Sequence, residues 1–380
     1  MSFYREVSSL KQILCLSNEP WSTSPGRTQQ LLSRLRDTQI LYFAPPAGRR
    51  DRSFRQKGQK VRPNVTVYTL PPTLFPVSEQ YSRLFLRNQR KLGRFIADKA
   101  ARHRFQSPLL WTTSPEQVHL LDHLEYDGLV YDCDRDWEEL PPLWEGALAN
   151  NADIVFAASP LLADRLSPCS SNIAQLPNGV NYPMFSGEGG SIQSDPLPQV
   201  HGPVLGWAGV IHRELDLSPI LYAARERPGW TFLLLGRQED NPLLPRLRRQ
   251  PNVALAGPCP LNEVPDWLFR CDVLLELLRE DRPDSDVISG RLYEYLSTGK
   301  PIVSMLWPEQ VEIFPDVVYG AHDEREFLTL CQHALEEAPG FVSQRRQSYG
   351  AAAAWSLRAA AVPYKVSAQH QDSILISLLT

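Results

Sequence analysis

Long apolar runs are absent from the 380-residue sequence, and none approaches the roughly 18 residues that a membrane-spanning helix needs. The first residues carry Arg5 and Glu6 and lead straight into a strand-like segment that begins at Ile13. They therefore lack the long apolar centre of a secretory signal. We expect a cytoplasmic protein that is not embedded in the membrane.

The six cysteines form no C-x-x-C pair, and no histidines accompany them at the spacing of metal ligands. Such scattered cysteines are typical of buried thiols and argue against a disulfide framework or a zinc site. No G-x-G-x-x-G follows a predicted strand, which disfavours a dinucleotide-dependent oxidoreductase. With 43% hydrophobic and 22% charged residues, the chain has the composition of a globular protein and is long enough for two domains.

Charge is unevenly distributed along the chain. Residues 27–104 contain 18 lysines and arginines and four acids, a net charge of +14, whereas the whole chain carries −4. Basic residues cluster at 49–62 and again at 83–94, where their spacing of three or four matches one face of a helix. Such a face attracts an anionic membrane or a phosphorylated acceptor. The alternative is a solvated face, and nucleic acid is not an expected partner because no motif for it is present.

Two successive sets of short apolar segments, with helical stretches between them, predict two α/β domains. The first set is Ile13–Ser17, Ile40–Ala44, Val65–Thr69, Leu109–Trp111, Leu129–Asp132 and Ile154–Ser159. The second set is Val204–Ala208, Thr231–Leu235, Val253–Ala256, Val273–Leu277, Ile302–Met305 and Val317–Tyr319. Apolar strands of this kind suit parallel sheets buried on both faces, and the default ligand site is a cleft between the domains.

A change of composition after Met184, to Ser-Gly-Glu-Gly-Gly-Ser and then Asp-Pro-Leu-Pro, is typical of a linker. We therefore predict an N-terminal domain at 1–185, a linker at 186–200 and a C-terminal domain at 201–340. The remainder, 341–380, is predicted to be a helical tail that packs back on the N-terminal domain.

The strongest local pattern is the stretch from Ser289 to Ser304, which predicts a helix of about ten residues that ends at Gly299 and precedes a strand. Leu292 and Leu296 are four apart and can face the sheet. The helix start at Ser289-Gly290 offers free backbone N–H groups and the positive end of the helix dipole, which suit a diphosphate.

This stretch resembles the nucleotide-sugar motif of GT-B glycosyltransferases, particularly the retaining family 4. Three further segments resemble that family in the same order: Leu176-Pro-Asn-Gly-Val-Asn181, Val204-Leu-Gly-Trp-Ala-Gly209 and Asn252-Val-Ala-Leu-Ala-Gly257. The N-terminal half resembles a teichuronic-acid-type subgroup through Pro20-Trp21, Arg27-Thr-Gln-Gln30 and 130–137. The resemblance implies a GT-B fold, with two Rossmann-like domains whose parallel sheets face each other across a cleft.

The resemblance also implies a donor site in the C-terminal domain. Glu294 matches the second glutamate of the family's E-x7-E pair, which hydrogen-bonds the nucleotide ribose. Eight residues earlier stands Asp286, where the family has the first glutamate; an ordinary polar loop is the alternative for this residue. The positions after Gly209 that usually carry two cations for the leaving diphosphate are not basic here, so Arg213 is the best substitute and Arg291 the second.

Candidate acceptor-site residues follow two predicted strands of the N-terminal domain. Asp132 and Asp134 come at the end of the strand 129–132, and we expect only one of them, Asp132, to handle the acceptor hydroxyl. The alternative is that these acids cap the next segment or pair with Arg135. On the loop after the first strand, Trp21 is a candidate for stacking on a sugar ring, although it equally suits packing.

Two further residues of that loop are candidates for the acceptor site. Gly26 allows a close backbone approach or forms a simple turn. Arg27 can meet a phosphate or carboxylate of the acceptor. Asp132-Cys-Asp134 superficially suggests a D-x-D metal site, but the resemblance implies that this position holds a residue facing the acceptor, so no metal or other cofactor is predicted.

We therefore expect a glycosyltransferase that moves one sugar from a nucleotide sugar to a saccharide or polyprenyl-linked acceptor, with retention, in cell-envelope or exopolysaccharide synthesis. The basic N-terminal face makes peripheral binding to an anionic membrane a hypothesis. Two alternatives remain open: a nucleotide-sugar epimerase of the same architecture, and a non-catalytic nucleotide-sugar-binding subunit.

Overall fold

Two units make up the chain in the computed structural model, which describes residues 12–48, 50–73, 83–187, 197, 199–200, 202–278, 285–338, 340–363 and 366. The first unit consists of the chain up to Pro177 together with the chain from Ser356 onward. The second unit runs from Asn178 to Trp355. The boundary thus precedes the predicted one at 185, and most of the predicted linker at 186–200 lies outside the described residues.

The first unit contains a sheet of eight strands in the order β3-β4-β2-β1-β5-β6-β7-β8. The strands are β1 (Gln12–Leu16), β2 (Gln39–Pro46), β3 (Gln59–Arg62), β4 (Val65–Leu70), β5 (Leu109–Thr112), β6 (Gly128–Cys133), β7 (Ile154–Ala157) and β8 (Ile173–Gln175). All neighbours pair in parallel except β3, which runs antiparallel to β4. The helices are α1 (Arg27–Leu32), α2 (Arg83–Arg102), α3 (Pro142–Asn151) and α4 (Pro160–Leu166).

The second unit contains a sheet of six parallel strands in the order β11-β10-β9-β12-β13-β14. The strands are β9 (Val204–Ala208), β10 (Thr231–Leu235), β11 (Val253–Ala256), β12 (Val273–Glu276), β13 (Ile302–Ser304) and β14 (Tyr319–Gly320). The helices are α5 (Tyr182–Phe185), α6 (Ser218–Glu226), α7 (Leu244–Leu247), α8 (Val264–Arg270), α9 (Gly290–Thr298), α10 (Pro308–Glu312), α11 (Glu324–Leu335) and α12 (Phe341–Ala352).

Both sheets form because their strands are apolar on both faces. In the first unit β6 and β7 are buried along their whole lengths, and in the second unit β9 and β12 are as well. Helices cover the strands of a parallel sheet in this arrangement, and the carboxyl ends of the strands share one edge. None of the described helices is long and apolar enough to cross a membrane.

The tail at 341–380 divides between the two units. Its first helix, α12, packs against α9 and so belongs to the second unit. Helical residues resume at Trp355, and the chain from Ser356 onward is part of the first unit. The single long tail helix is therefore interrupted at 353–354, where Ala354 forms a β-bridge with Val180.

A buried arginine joins α12 to the segment that precedes β14. Arg346 is 0% exposed; it donates to the Val317 carbonyl at 2.7 Å and to both oxygens of Glu337 at 2.5 and 2.6 Å. Tyr319 also donates to Glu337, at 2.7 Å. Burial opposes ionisation of Glu337, but the hydrogen bonds from Arg346 and Tyr319 lower the pKa of this carboxyl.

Replacing Arg346 by methionine is expected to destabilise the second unit by about 3–5 kcal/mol, because it leaves a largely buried carboxylate without its cation. Chemical unfolding measures the effect. The neighbouring Arg345→Met is the control: its side chain is 36% exposed and 3.7 Å from Asp316, so its loss should cost at most about 1 kcal/mol. Equal unfolding midpoints for the two variants would contradict the prediction.

Candidate functional site

Helix α9 begins and ends as its sequence predicts. The Ser289 hydroxyl caps the N-terminus by accepting from the Leu292 N–H at 3.2 Å, and Gly299 closes the C-terminus with a φ of 73°. Leu292 and Leu296 are fully buried, which confirms their predicted packing. At the first helical position, a Cβ on Gly290 would lie 3.6 Å from the Gly179 carbonyl oxygen.

The Pro-Asn-Gly-Val turn lies directly against the start of α9. The Asn178 amide donates to the Ile288 carbonyl at 2.9 Å, across 110 positions of sequence. Val180 exchanges backbone hydrogen bonds with Ala353 and Trp355, at 3.0 and 2.9 Å. Because a Cβ on Gly179 would lie 2.6 Å from the Ala353 oxygen, only glycine fits this turn. Two of the sequence motifs are therefore parts of one local structure.

An ion pair at the carboxyl end of β12 joins that strand to α9. Glu276 is 1% exposed, and Arg291 donates to its two oxygens through Nε, at 3.1 and 2.9 Å, and also through Nη2. The guanidinium lies over the Trp207 ring, 5.0 Å from its centroid. Burial acts to lower the pKa of Arg291, but the negative charge of Glu276 outweighs it and raises that pKa. Arg291 is thus a fixed cation.

Glu276 was not among the predicted site residues. The signal for it was the acid that ends the apolar run Val-Leu-Leu-Glu, within a strand predicted to be buried. Buried acids of this kind need a cationic partner, because an isolated buried charge is costly. The sequence could not identify Arg291 as that partner.

Glu294 lies one turn further along α9, and its pKa is raised to about 7. Burial is the main cause, the charge of Glu276 adds to it and Arg291 opposes it. The carboxyl group is therefore close to half-protonated at neutral pH. Asp286 is also buried, 5% exposed, in a loop whose carbonyls at Ser285 and Val287 accept from the Gln310 amide at 2.5 and 3.1 Å.

Gly209 directly follows β9 and lies next to Arg291. Its φ is 156°, and a Cβ there would lie 2.6 Å from the Arg291 Nη1 atom. The two cation candidates differ in position. Arg291 borders this glycine, whereas the Arg213 side chain is 78% exposed and 4.0 Å from Asp240. The phosphate-binding role of each, and the order in which they serve, stays a prediction.

In the first unit, a buried ion pair joins the loop after β1 to the end of β6. Arg27 donates to the Oδ1 atom of Asp132 through Nε at 2.9 Å and through Nη2 at 2.8 Å. It also donates to the Leu176 carbonyl at 2.6 Å. The other carboxylate oxygen, Oδ2 of Asp132, is buried and has no hydrogen-bond partner within the described residues.

Asp134 lies beside this pair and not on the opposite face. Its pKa is raised to about 7, mainly by burial and next by the charge of Asp132, while Arg27 opposes the rise. Asp134 follows the last residue of β6, Cys133, and which of the two aspartates serves the acceptor stays a prediction. The predicted alternative partner, Arg135, instead pairs with Glu139 at 2.9 Å.

The other two loop candidates pack locally. Trp21 meets Tyr42 edge to face, with ring centroids 5.2 Å apart. Gly26 precedes α1, and a Cβ there would lie 2.2 Å from the Oε2 atom of Glu19, so the absence of a side chain admits this carboxylate. Trp21, Gly26 and Arg27 thus all lie against other residues of the first unit. Their roles in binding the acceptor stay predictions.

Comparisons with known proteins relate part of the sequence, and the fold, to glycosyltransferases. Residues 213–362 match a family model described as glycosyl transferase-like. TuaH of Bacillus subtilis, named as a teichuronic acid biosynthesis glycosyltransferase, is 25% identical in an alignment of 336 residues that covers 81% of this chain and 84% of TuaH. Residues 213–362 are therefore glycosyl transferase-like.

Solved structures show the same fold at low identity. An α,α-trehalose 6-phosphate synthase from Burkholderia multivorans superposes with a TM-score of 0.69 at 12% identity, covering 96% of this chain and 100% of that one. Anabaena HepE, crystallised with UDP, superposes with a TM-score of 0.67 at 14% identity, covering 94% and 100%. The chain has the GT-B fold, with two Rossmann-like domains.

The glycosyl transferase-like region contains most of the donor candidates. Asp286, Ser289, Gly290, Arg291 and Glu294 all lie within 213–362, as does Glu276. Within the described residues, no group of three or more histidines, cysteines or acids has the geometry of a metal site.

The substitution Asp134→Asn is expected to stabilise the protein at alkaline pH. The folded-state pKa of about 7 exceeds the ordinary 3.8, so the wild type loses stability as the pH rises from about 4 to 7. The variant has no carboxyl group at this position. Above pH 7 its free energy of unfolding should therefore exceed that of the wild type by on the order of 2 kcal/mol, after allowance for partial solvent exposure. Thermal unfolding from pH 4 to 8 measures it.

The control for this series is Asp127→Asn, which removes an exposed acid of the same unit. Its stability should follow the wild-type pH dependence. If Asp134→Asn does so too, the carboxyl group at 134 ionises normally in the folded protein.

Proposed function

We propose that this chain is a glycosyltransferase that transfers a sugar from a nucleotide sugar bound by the second unit. The observation that carries the proposal is the arrangement at α9: a fixed cation, Arg291, and a partly buried carboxyl, Glu294, beside a capped helix N-terminus. The match of residues 213–362 to the glycosyl transferase-like family model supports it. An epimerase would use the same donor site, but the comparisons favour transfer to an acceptor.

Each part of the donor has a matching group in the proposal. Glu294, once ionised, accepts hydrogen bonds from the two ribose hydroxyls. The N–H groups at Ser289 and Gly290 and the helix dipole hold the diphosphate. Arg291 stabilises the charge that develops as the glycosidic bond breaks, with Arg213 as the second candidate. Asp286 is proposed to contact the transferred sugar. Because these groups supply the positive charge, the proposal requires no metal.

The nucleotide to test first is UDP, because the HepE structure contains it. The teichuronic acid pathway named for TuaH supports a saccharide or lipid-linked acceptor in cell-envelope polysaccharide synthesis. Exposed basic residues on α2 support the proposal that the protein is cytoplasmic and binds peripherally to an anionic membrane surface. They are Arg83, Arg87, Arg90, Lys91 and Arg94.

We assign the acceptor chemistry to the first unit. Asp132 is engaged by Arg27, whereas Asp134 has a pKa of about 7 and can exchange a proton near neutral pH. Asp134 is therefore the proposed proton acceptor for the acceptor hydroxyl, and Asp132 positions Arg27. Retention of configuration, as the family resemblance implies, requires no dedicated base and is part of the proposal.

The test is incubation of the full chain with a panel of nucleotide sugars, with and without membrane extracts or saccharide acceptors. We expect release of one nucleoside diphosphate, stimulated by an acceptor, and a product with the donor's anomeric configuration by NMR. Conversion of the donor to a second free nucleotide sugar without acceptor would establish the epimerase. Donor binding without release or transfer, for the whole panel, would favour the non-catalytic subunit.

A further inference from the structure

A cavity at the outer edge of the first unit collects basic residues from two separate stretches of sequence. Its volume is about 430 Å³, and β3, β4, the preceding turn and the end of α2 form it. The lining residues are Arg55, Gln56, Lys57, Gly58, Lys60, Thr66, Tyr68, Lys99, Arg102 and His103. Five of them carry a permanent positive charge and none is acidic.

Packed side chains form the inner wall of the cavity. The Lys99 side chain is only 14% exposed, and its Nζ atom lies 5.6 Å from the Tyr68 ring centroid and 4.8 Å from that of Phe95. The Tyr68 hydroxyl is 2.8 Å from Nε2 of His103. A Cβ on Gly58 would lie 2.4 Å from the Tyr68 ring, so the turn needs glycine to approach this closely. An ammonium group is therefore fixed over aromatic rings at the cavity wall.

One acid lies close to these cations. Asp98 is 3.1 Å from Arg102 Nε and 3.4 Å from Lys99 Nζ, but its side chain is 47% exposed and outside the lining. It offsets one of the five charges. Crowding the remaining charges into one concave surface is unfavourable by itself, and a bound dianion would relieve this repulsion.

The cavity is separate from the proposed acceptor residues. β4 and β6 are four strand steps apart in the sheet order, which is roughly 19 Å at the usual strand spacing. We propose that this cavity binds a phosphoryl group of a ligand, either a soluble sugar phosphate or the headgroup of an anionic phospholipid. Several lysine and arginine donors around one concavity suit the oxygens of a phosphoryl dianion.

The test variant is Lys57→Gln/Lys60→Gln, because both side chains are exposed and neither packs in the core. A second variant, Lys99→Met, removes the ammonium group but keeps the aliphatic contact with Tyr68. The control is Arg225→Gln/Arg246→Gln, which changes the net charge equally at exposed positions of the second unit. Circular dichroism and thermal unfolding establish that each variant is folded.

The first arm measures binding of inorganic phosphate to the full chain by ³¹P NMR line broadening at constant ionic strength. Loss of two cationic contacts should weaken binding about tenfold in Lys57→Gln/Lys60→Gln, with a similar direction in Lys99→Met and no change in the control. The second arm measures flotation with phosphatidylcholine vesicles that contain or lack phosphatidic acid.

Phosphate binding that depends on the cavity, with equal flotation of all variants, identifies a soluble phosphorylated ligand. Flotation on phosphatidic acid vesicles that the cavity variants lose and the control keeps identifies a lipid headgroup. The proposal is overturned if neither probe binds, or if the control weakens binding as much as the cavity variants do. The site is independent of donor binding, so these outcomes do not depend on the proposed function.

Discussion

Replacing Glu294 by glutamine is expected to weaken binding of the nucleotide donor by roughly 10- to 150-fold. A carboxylate accepts both ribose hydroxyls, whereas the amide of glutamine offers one acceptor and an N–H group in the other place. Hydrogen bonds to a charged group contribute about 1.5–3 kcal/mol, which sets this range. Titration calorimetry with UDP, or with whichever nucleoside diphosphate raises the melting temperature, measures the change.

The same substitution is expected to remove a pH dependence. The pKa of Glu294 is about 7 in the free protein, and the ribose contact requires the ionised form. Wild-type affinity should therefore fall as the pH drops below 7, by up to about tenfold per pH unit more than that of Glu294→Gln, because protonation of the UDP phosphate affects both proteins equally. The matched control is Glu226→Gln, an exposed glutamate of the same unit, which should keep the wild-type profile.

Two outcomes would contradict this assignment. If Glu294→Gln binds the nucleotide as tightly as the wild type, the carboxyl group is a packing residue of α9. If the variant binds more weakly but keeps the slope below pH 7, the titrating group lies elsewhere in the site.

The parts of the fold that follow from local sequence are those that the sequence predicts well. β9, β10 and β11 have the predicted bounds, because each is a short apolar run between turn residues. β3 was missed, since its Gln-Lys-Val-Arg sequence is polar and is a strand only through its pairing with β4. Pairing across the sheet edge has no local sequence signal.

The sites show the same division between local and long-range information. The cap and C-terminus of α9 depend on neighbours in sequence, so Ser289 and Gly299 predict them. The Arg27 contact with Asp132 spans 105 positions and depends on the strand order. Asp134 has its raised pKa because of burial and the charge of Asp132, which Arg27 opposes. The sequence identified these residues as candidates, but it did not indicate which of them contact one another.

Replacing Arg291 by methionine is expected to affect both stability and catalysis. The buried Glu276 carboxylate would lose its cation, which costs about 3–5 kcal/mol in chemical unfolding. The developing charge on the leaving diphosphate would lose its stabilising group, which lowers kcat by about 10²- to 10³-fold. The control Arg225→Met removes an exposed arginine and should change neither quantity by much.

A double variant separates the two effects. In Arg291→Met/Glu276→Gln the buried site carries no charge, so most of the lost stability should return. The diphosphate still lacks its cation, so kcat should remain as low as in the single variant, with the Michaelis constant for the donor changed much less. Recovery of kcat together with stability would mean that Arg291 serves only to neutralise Glu276. In that case the cation for the leaving group must come from another residue, and Arg213 becomes the first candidate despite its exposure.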